Sequence, residues 1–209
     1  MIEQQEAGDA RVLWLAMVQR LMGRAAHDVK DSLNGVAVNL EVIRSRAERA
    51  GAPASAVAPF ADAAGQQLER LTSLLDALLA VARQERDPVN VGVALRRVAT
   101  LCTASTSADE ATVVVDDELA EDAITTLPGE VVRLALAAPM LEAVHGNGQP
   151  ASVVRCALRV APAEVLVTIA ANGRRVTMPA AVAAVVRGAG VRWTDGEKDG
   201  ALSLAFPRS

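Results

Sequence analysis

From about Asp9 to Ala50 no proline interrupts the chain, and Val18, Leu21, Ala25, Val29, Leu33, Val36, Leu40 and Ile43 recur at steps of three or four. That spacing predicts one long helix with a continuous buried seam. The stretch GAPASAVAP (Gly51 to Pro59) then stops the helix and reverses the chain. Phe60, Ala64, Leu68, Leu71, Leu75, Leu78 and Ala82 repeat the same spacing, so the two segments read as an antiparallel helical hairpin. At 1.5 Å per residue the first helix is roughly 60 Å long, more than one partner helix with one apolar face covers. Two hairpins side by side in a homodimer would close a four-helix bundle and hide both seams. The alternative is a single hairpin packed against its own C-terminal region.

Past Arg83 the pattern changes. The polar QERDP reads as a hinge, Val91 to Cys102 as a short helix and Ala111 to Asp117 as a strand. Gly129 to Val144 has helical periodicity, although Pro139 inside it should cost several kcal/mol or kink it. SVVRCALRVAP and AEVLVTIAANG alternate as strands joined at Ala161 to Ala163. AAVAAVVRG is a further short helix, and VRWTD and ALSLAF are final strands around the turn TDGEKDG. The expected class is α+β: a helical hairpin over residues 1–86, followed by an α/β sandwich over 87–209.

Composition narrows the function. Of 209 residues 51% are hydrophobic, which supports a packed core and argues against disorder. Aromatics are 2% with no Tyr, and the net charge is −4; both argue against a nucleic-acid partner. Cys102 and Cys156 lie far apart with no CxxC spacing, so neither a disulfide framework nor a zinc site is indicated. The N-terminus is acidic and polar and no run is long enough to cross a bilayer. A cytoplasmic protein without a membrane anchor is expected.

His27 is two residues from both Ala25 and Val29, so at about 100° per residue it points some 200° away from the seam. Asp31 and Asn34 follow it and Arg20 precedes it on the same stripe, while Arg24 and Lys30 border it. An exposed imidazole between cations can accept a phosphoryl group at one ring nitrogen while a carboxylate holds the proton on the other. The adjacent Asp28 is the expected carboxylate. Taken alone, the same pattern describes an ordinary charged helix surface.

Read as a unit, HDVKDSLNGVAVNLEVI (His27 to Ile43) resembles the phosphoacceptor box of histidine kinases, with His27, Asp28, Lys30 and Leu33 matching and Ser32 in place of the usual proline. Asp31 stands where Asn or Thr is common. QQLERLTSLLDALLAVARQE resembles the second helix of the same dimerisation and phosphotransfer hairpin, and PVNVGVALRRVATLC the start of the ATP-binding domain. That domain resembles a degenerate Bergerat-type α/β sandwich. Glu142 and Ala138 stand where the nucleotide-site helix carries asparagines, Ala171 replaces the adenine-reading aspartate, and Arg175 replaces the second glycine after Gly173. Little room remains for a lid between Val176 and Trp193, with Gly188 and Gly190 as the only remnant of the later loop. Alanine cannot accept the adenine hydrogen bond and arginine bars close backbone approach. The former cleft is expected to be partly filled by Arg175 and Met140.

The whole is similar to dimeric histidine phosphotransferases of the ChpT type, which pass phosphoryl groups between response-regulator receiver domains without ATP. The resemblance implies His27 as phosphorylated nucleophile and Asp28 as its neighbouring acid. Arg20, Arg24, Lys30, Asp31 and Asn34 then shape the receiver-docking face, a local inference. No cofactor is implied, the Mg²⁺ of the reaction belonging to the receiver. A second reading is a pseudo-histidine-kinase scaffold that binds a receiver or kinase without carrying phosphate. His145 is expected to decorate a helix C-terminus, and Trp14 and Trp193 to pack, Trp14 at the bundle end or in a core.

Overall fold

The computed structural model describes residues 2–49, 53–82, 88–104, 111–116, 122–145, 153–196 and 200–209. Helix α1 spans Ile2–Ala47 and α2 spans Ala58–Ala82, joined at the far end by a short 3-10 turn at Ala54–Ala56. At 46 residues, α1 is about 69 Å long. Arg46 closes the base of the hairpin. Its Nη1 donates to the carbonyl of Ala56 at 2.6 Å and its guanidinium lies 4.4 Å from the Phe60 ring centroid.

The face that α1 turns toward α2 differs from the expected seam. Ser32 and Val36 are buried, Asp28, Asn39 and Ile43 are half-buried, and Leu33 and Leu40 are exposed. Opposite them, Ala64, Leu71 and Leu74 are buried on α2, whereas Leu68, Leu75 and Leu79 are exposed. The physical reason is that the apolar stripe is wider than one partner covers. At about 100° per residue, Leu15, Met22, Leu33 and Leu40 lie roughly 100° round α1 from the line facing α2. Leu68, Leu75 and Leu79 are offset by a similar angle on α2. Because the helices are antiparallel, the two offsets fall on the same side of the hairpin and make one bare apolar face.

The rest of the chain forms α3 (Val91–Ala104), α4 (Gly129–His145) and α5 (Ala180–Gly188) with strands β1 (Val89–Asn90), β2 (Thr112–Val115), β3 (Ile124–Thr125), β4 (Val153–Val160), β5 (Glu164–Ala171), β6 (Arg192–Asp195) and β7 (Leu202–Pro207). Five strands make a mixed sheet in the order β2-β4-β5-β7-β6, with β2 and β4 parallel and the other pairs antiparallel. β4 and β5 form the expected hairpin, with Val160 opposite Val165 beside the turn. Alternation puts Val154, Cys156, Val165, Val167, Ile169, Leu202, Leu204 and Phe206 in the core and leaves Arg155, Ala157 and Arg159 on the outer face.

The two-residue pair β1 and β3 carries no recognisable sequence period. Asn90 starts α3 by accepting from the Val93 N–H at 2.9 Å. Buried Thr125 donates to the Pro207 carbonyl at 2.7 Å and accepts from the Leu127 N–H, tying β3 to the end of β7.

Helix α4 is buried at every position from Val131 to Met140, the signature of a central helix covered on all sides. It runs unbroken through Pro139, so the lost backbone bond, about 3 kcal/mol, is offset by that burial. Around it pack α3, α5, the sheet and the part of α1 from Leu13 to Val18. Trp14 is only 4% exposed and joins the same core, with Leu13, Met17 and Val18 beside it. The guanidinium of buried Arg133 lies 5.5 Å from the Trp14 ring. One side of α1 is thus covered by α2 along its second half and by α4 and α5 near its start.

The hinge at QERDP and the boundary at 86/87 fall mostly outside the described residues, as do the loop after His145 and the tip of the last turn. Among the described residues no helix is long and apolar enough to cross a membrane.

Candidate functional site

His27 sits on α1 with its side chain 75% exposed. On the same helix its direction is some 120–140° from the bare apolar line and about 100° or more from the side facing α2. Neither surface covers it. The ring Nδ1 lies 2.9 Å from Oδ2 of Asp31, one turn further along. A carboxylate only accepts, so this contact places a proton on Nδ1, and in the neutral ring the free lone pair is then on Nε2.

The carboxylate on the ring is therefore Asp31, not the expected Asp28. The reason is helical phase: residue i+4 returns to the same face, whereas i+1 is turned by about 100°. Asp28 instead points into the hairpin, half-buried, with Oδ2 3.9 Å from Nη2 of Arg70 on α2 and, among the described residues, without a hydrogen-bond partner. Arg70 carries no motif in the sequence. Only folding α2 back along α1 brings it beside Asp28.

Lys30 and Asn34 are exposed on the flanks of His27. Arg20 and Arg24 belong to α1, with side chains outside the described set. About three turns beyond His27, the Asn39 side chain donates to Oε1 of Gln67 at 3.3 Å across the hairpin. Gln67 lies over Gly35, where a Cβ would come within 2.4 Å of its amide nitrogen. The contact face of the hairpin thus carries polar groups, Asp28 with Arg70, Ser32, then Asn39 with Gln67, among the buried Val36, Ala64, Leu71 and Leu74.

The segment resembling a nucleotide turn is tied down. Ala171 ends β5 and bridges Arg174, Gly173 adopts φ +69°, and the Val176 N–H donates to the Gly200 carbonyl at 2.8 Å. Gly200, at φ +67°, lies so close to Arg175 that a Cβ would sit 3.3 Å from the Arg175 Cα. Val176 and Met178 are buried before α5 begins. Arg175 is exposed, contrary to the expectation that it fills a cleft, because the Gly200 backbone occupies its inner side. Met140 is fully buried in the core, Ala138 is buried and Glu142 is exposed. Trp193 is half-buried with Arg187 stacked 4.4 Å from its ring, and His145 is half-buried at the end of α4.

Burial pushes the Cys156 thiol up to about 12, with the Asp116 carboxylate adding to the effect. Burial first, and Cys156 second, push Cys102 higher still. Both are fully enclosed core residues held as neutral thiols. Among the described residues no group of three His, Cys, Asp or Glu side chains could hold a metal ion.

No family model matches the chain, and no curated protein matches it. Solved structures similar to it include a bacterial phosphotransferase at 16% identity and TM-score 0.45, covering 91% of this chain and 95% of that one. The Acinetobacter baumannii histidine kinase AdeS is similar at 9% identity and TM-score 0.43, covering 88% and 97%. The mycobacterial sensor histidine kinase MprB is similar at 17% identity and TM-score 0.40, covering 60% and 98%. At such scores the chemistry of this chain has to come from its own residues.

Proposed function

We propose that this chain is a phosphorelay histidine phosphotransferase that carries a phosphoryl group on His27 between receiver-domain aspartates. The observation that carries this reading is a solvent-facing imidazole whose Nδ1 is held by Asp31, mounted clear of both faces that pack or can pack. Neutral Nε2 attacks the phosphorus of a receiver phosphoaspartate. The N–P bond forms as the P–O bond breaks, with the electron pair staying on the departing carboxylate. The ring becomes cationic, and Asp31 stabilises that charge through Nδ1–H. The second transfer reverses these bond changes on another receiver. Phosphoryl transfer of this type needs alignment and charge neutralisation above all. A rigid helix supplies the first, and Lys30 with the receiver's own Mg²⁺ the second.

The bare face lined by Leu33, Leu40, Leu68 and Leu75 supports a homodimer in which two hairpins pack face to face, leaving His27 on the outside. ATP is not used: Ala171 offers no adenine acceptor, and the Gly173 to Pro179 connection is anchored by Val176, Met178 and Gly200. The test is incubation with a phosphorylated receiver. Acid-labile, base-stable label on the wild type and none on His27→Ala is the expected result. A wild type that binds the receiver and never takes label leaves the scaffold reading instead.

A further inference from the structure

We infer that Arg70 is a positioning residue for transfer through His27, acting by holding Asp28 away from the imidazole so that Asp31 alone carries the ring. The inference rests on the proposed transferase reading. Two carboxylates lie within one turn of His27: helical phase aims Asp31 at the ring, and an Asp28 side chain released from the hairpin would reach toward it from the adjacent position. Only Asp31 accepts from Nδ1, at 2.9 Å. Asp28 is turned into the hairpin toward Arg70, and its Oδ2 is shielded from water; among the described residues it has no hydrogen bond, and its paired cation is the Arg70 guanidinium at 3.9 Å. A shielded carboxylate stripped of its cation is destabilised and moves to solvent. On α1 the outward route from Asp28 passes the His27 side of the helix. There it would compete with Asp31, rotate the ring and turn Nε2 off the line of attack. Misalignment of that kind lowers the rate of the transfer step and leaves receiver docking intact.

The neighbouring contacts agree with a positioning role. A further cross-hairpin contact, Asn39 to Gln67 over Gly35, is also polar, beside buried Val36, Leu71 and Leu74. Polar pairs and buried apolar side chains together therefore fix the rotation of α1 against α2 near His27.

The experiment uses the full chain with a phosphorylated receiver. It compares wild type, Arg70→Ala, Arg70→Lys and the exchange Asp28→Arg with Arg70→Asp, each checked for helicity and oligomeric state. The expected result for Arg70→Ala is a fall of about ten-fold in the first-order transfer rate, with receiver half-saturation within about two-fold of wild type. Arg70→Lys and the exchange should recover most of the rate. The ¹⁵N and ¹H signals of the His27 ring should shift in Arg70→Ala and return in the exchange. An unchanged rate, a change in half-saturation alone, or an exchange that folds and does not recover would overturn the inference. If the wild type takes no label, the transferase reading fails on its own. The ring signals then decide, and signals that do not move in Arg70→Ala overturn the positioning role.

Discussion

The two halves of the molecule use apolar residues in opposite ways. In the α/β half they close on themselves: α4 is buried through ten successive positions and Phe206, Leu204 and Ile169 are fully enclosed. In the hairpin the intramolecular face mixes Asp28, Ser32, Asn39 and Gln67 with Val36, Ala64, Leu71 and Leu74, while Leu33, Leu40, Leu68, Leu75 and Leu79 face outward. One half has completed its burial and the other has not. The unfinished half carries the exposed histidine, and the two surfaces do not overlap.

The comparison breaks hardest at Trp14, which lies on the hairpin's own helix yet belongs to the closed core. Trp14→Ala should destabilise the α/β half by about 3–5 kcal/mol in denaturant unfolding. A loss confined to the helical signal of the hairpin would show that the halves are separate. Charging the bare face should do the reverse. Leu33→Glu with Leu68→Glu should convert the proposed dimer to a monomer in analytical ultracentrifugation while shifting α/β unfolding by no more than about 0.5 kcal/mol. A dimer that persists would place the interface elsewhere.

Within the closed half, Thr125→Val removes a buried hydroxyl and orphans the Leu127 N–H, for an expected cost of about 1–3 kcal/mol. The buried thiols sharpen the contrast by pH. Their folded values lie above the ordinary 9.0, so their contribution is fully present below about pH 9 and is lost as pH rises, by up to about 1.4 kcal/mol per thiol per pH unit. Denaturation midpoints should be flat from pH 7 to 8.5 and fall above pH 9, with the fall reduced in Cys102→Ala. Asp31→Asn should be smallest in stability, below about 0.5 kcal/mol because the pair is exposed, while the His27 ring signals move.

Most elements of this fold could be read from the chain because their periods are strong. Three- and four-residue steps give α1 and α2, and alternation gives β4, β5 and β7. The direction of His27 followed from the same arithmetic. What period alone could not separate was which part of a broad apolar stripe meets α2 and which stays bare, since both satisfy the same spacing. The choice between Asp28 and Asp31 is a matter of helical phase, and i+4 was the available signal. Arg70, Trp14 in the α/β core, and the β1–β3 pair depend on contacts between residues distant in sequence. Pro139 misleads for the same reason, since its local penalty is outweighed by burial that only the tertiary structure supplies.

Because α1 is a single unbroken helix, Trp14 and His27 are rigidly geared to one another across 13 residues, about 20 Å of axis. A tilt or twist imposed where Trp14 is clamped reappears as a swing of the imidazole, with no joint between them to absorb it. Substitutions around Trp14 should therefore alter the direction in which His27 points as surely as substitutions beside the histidine.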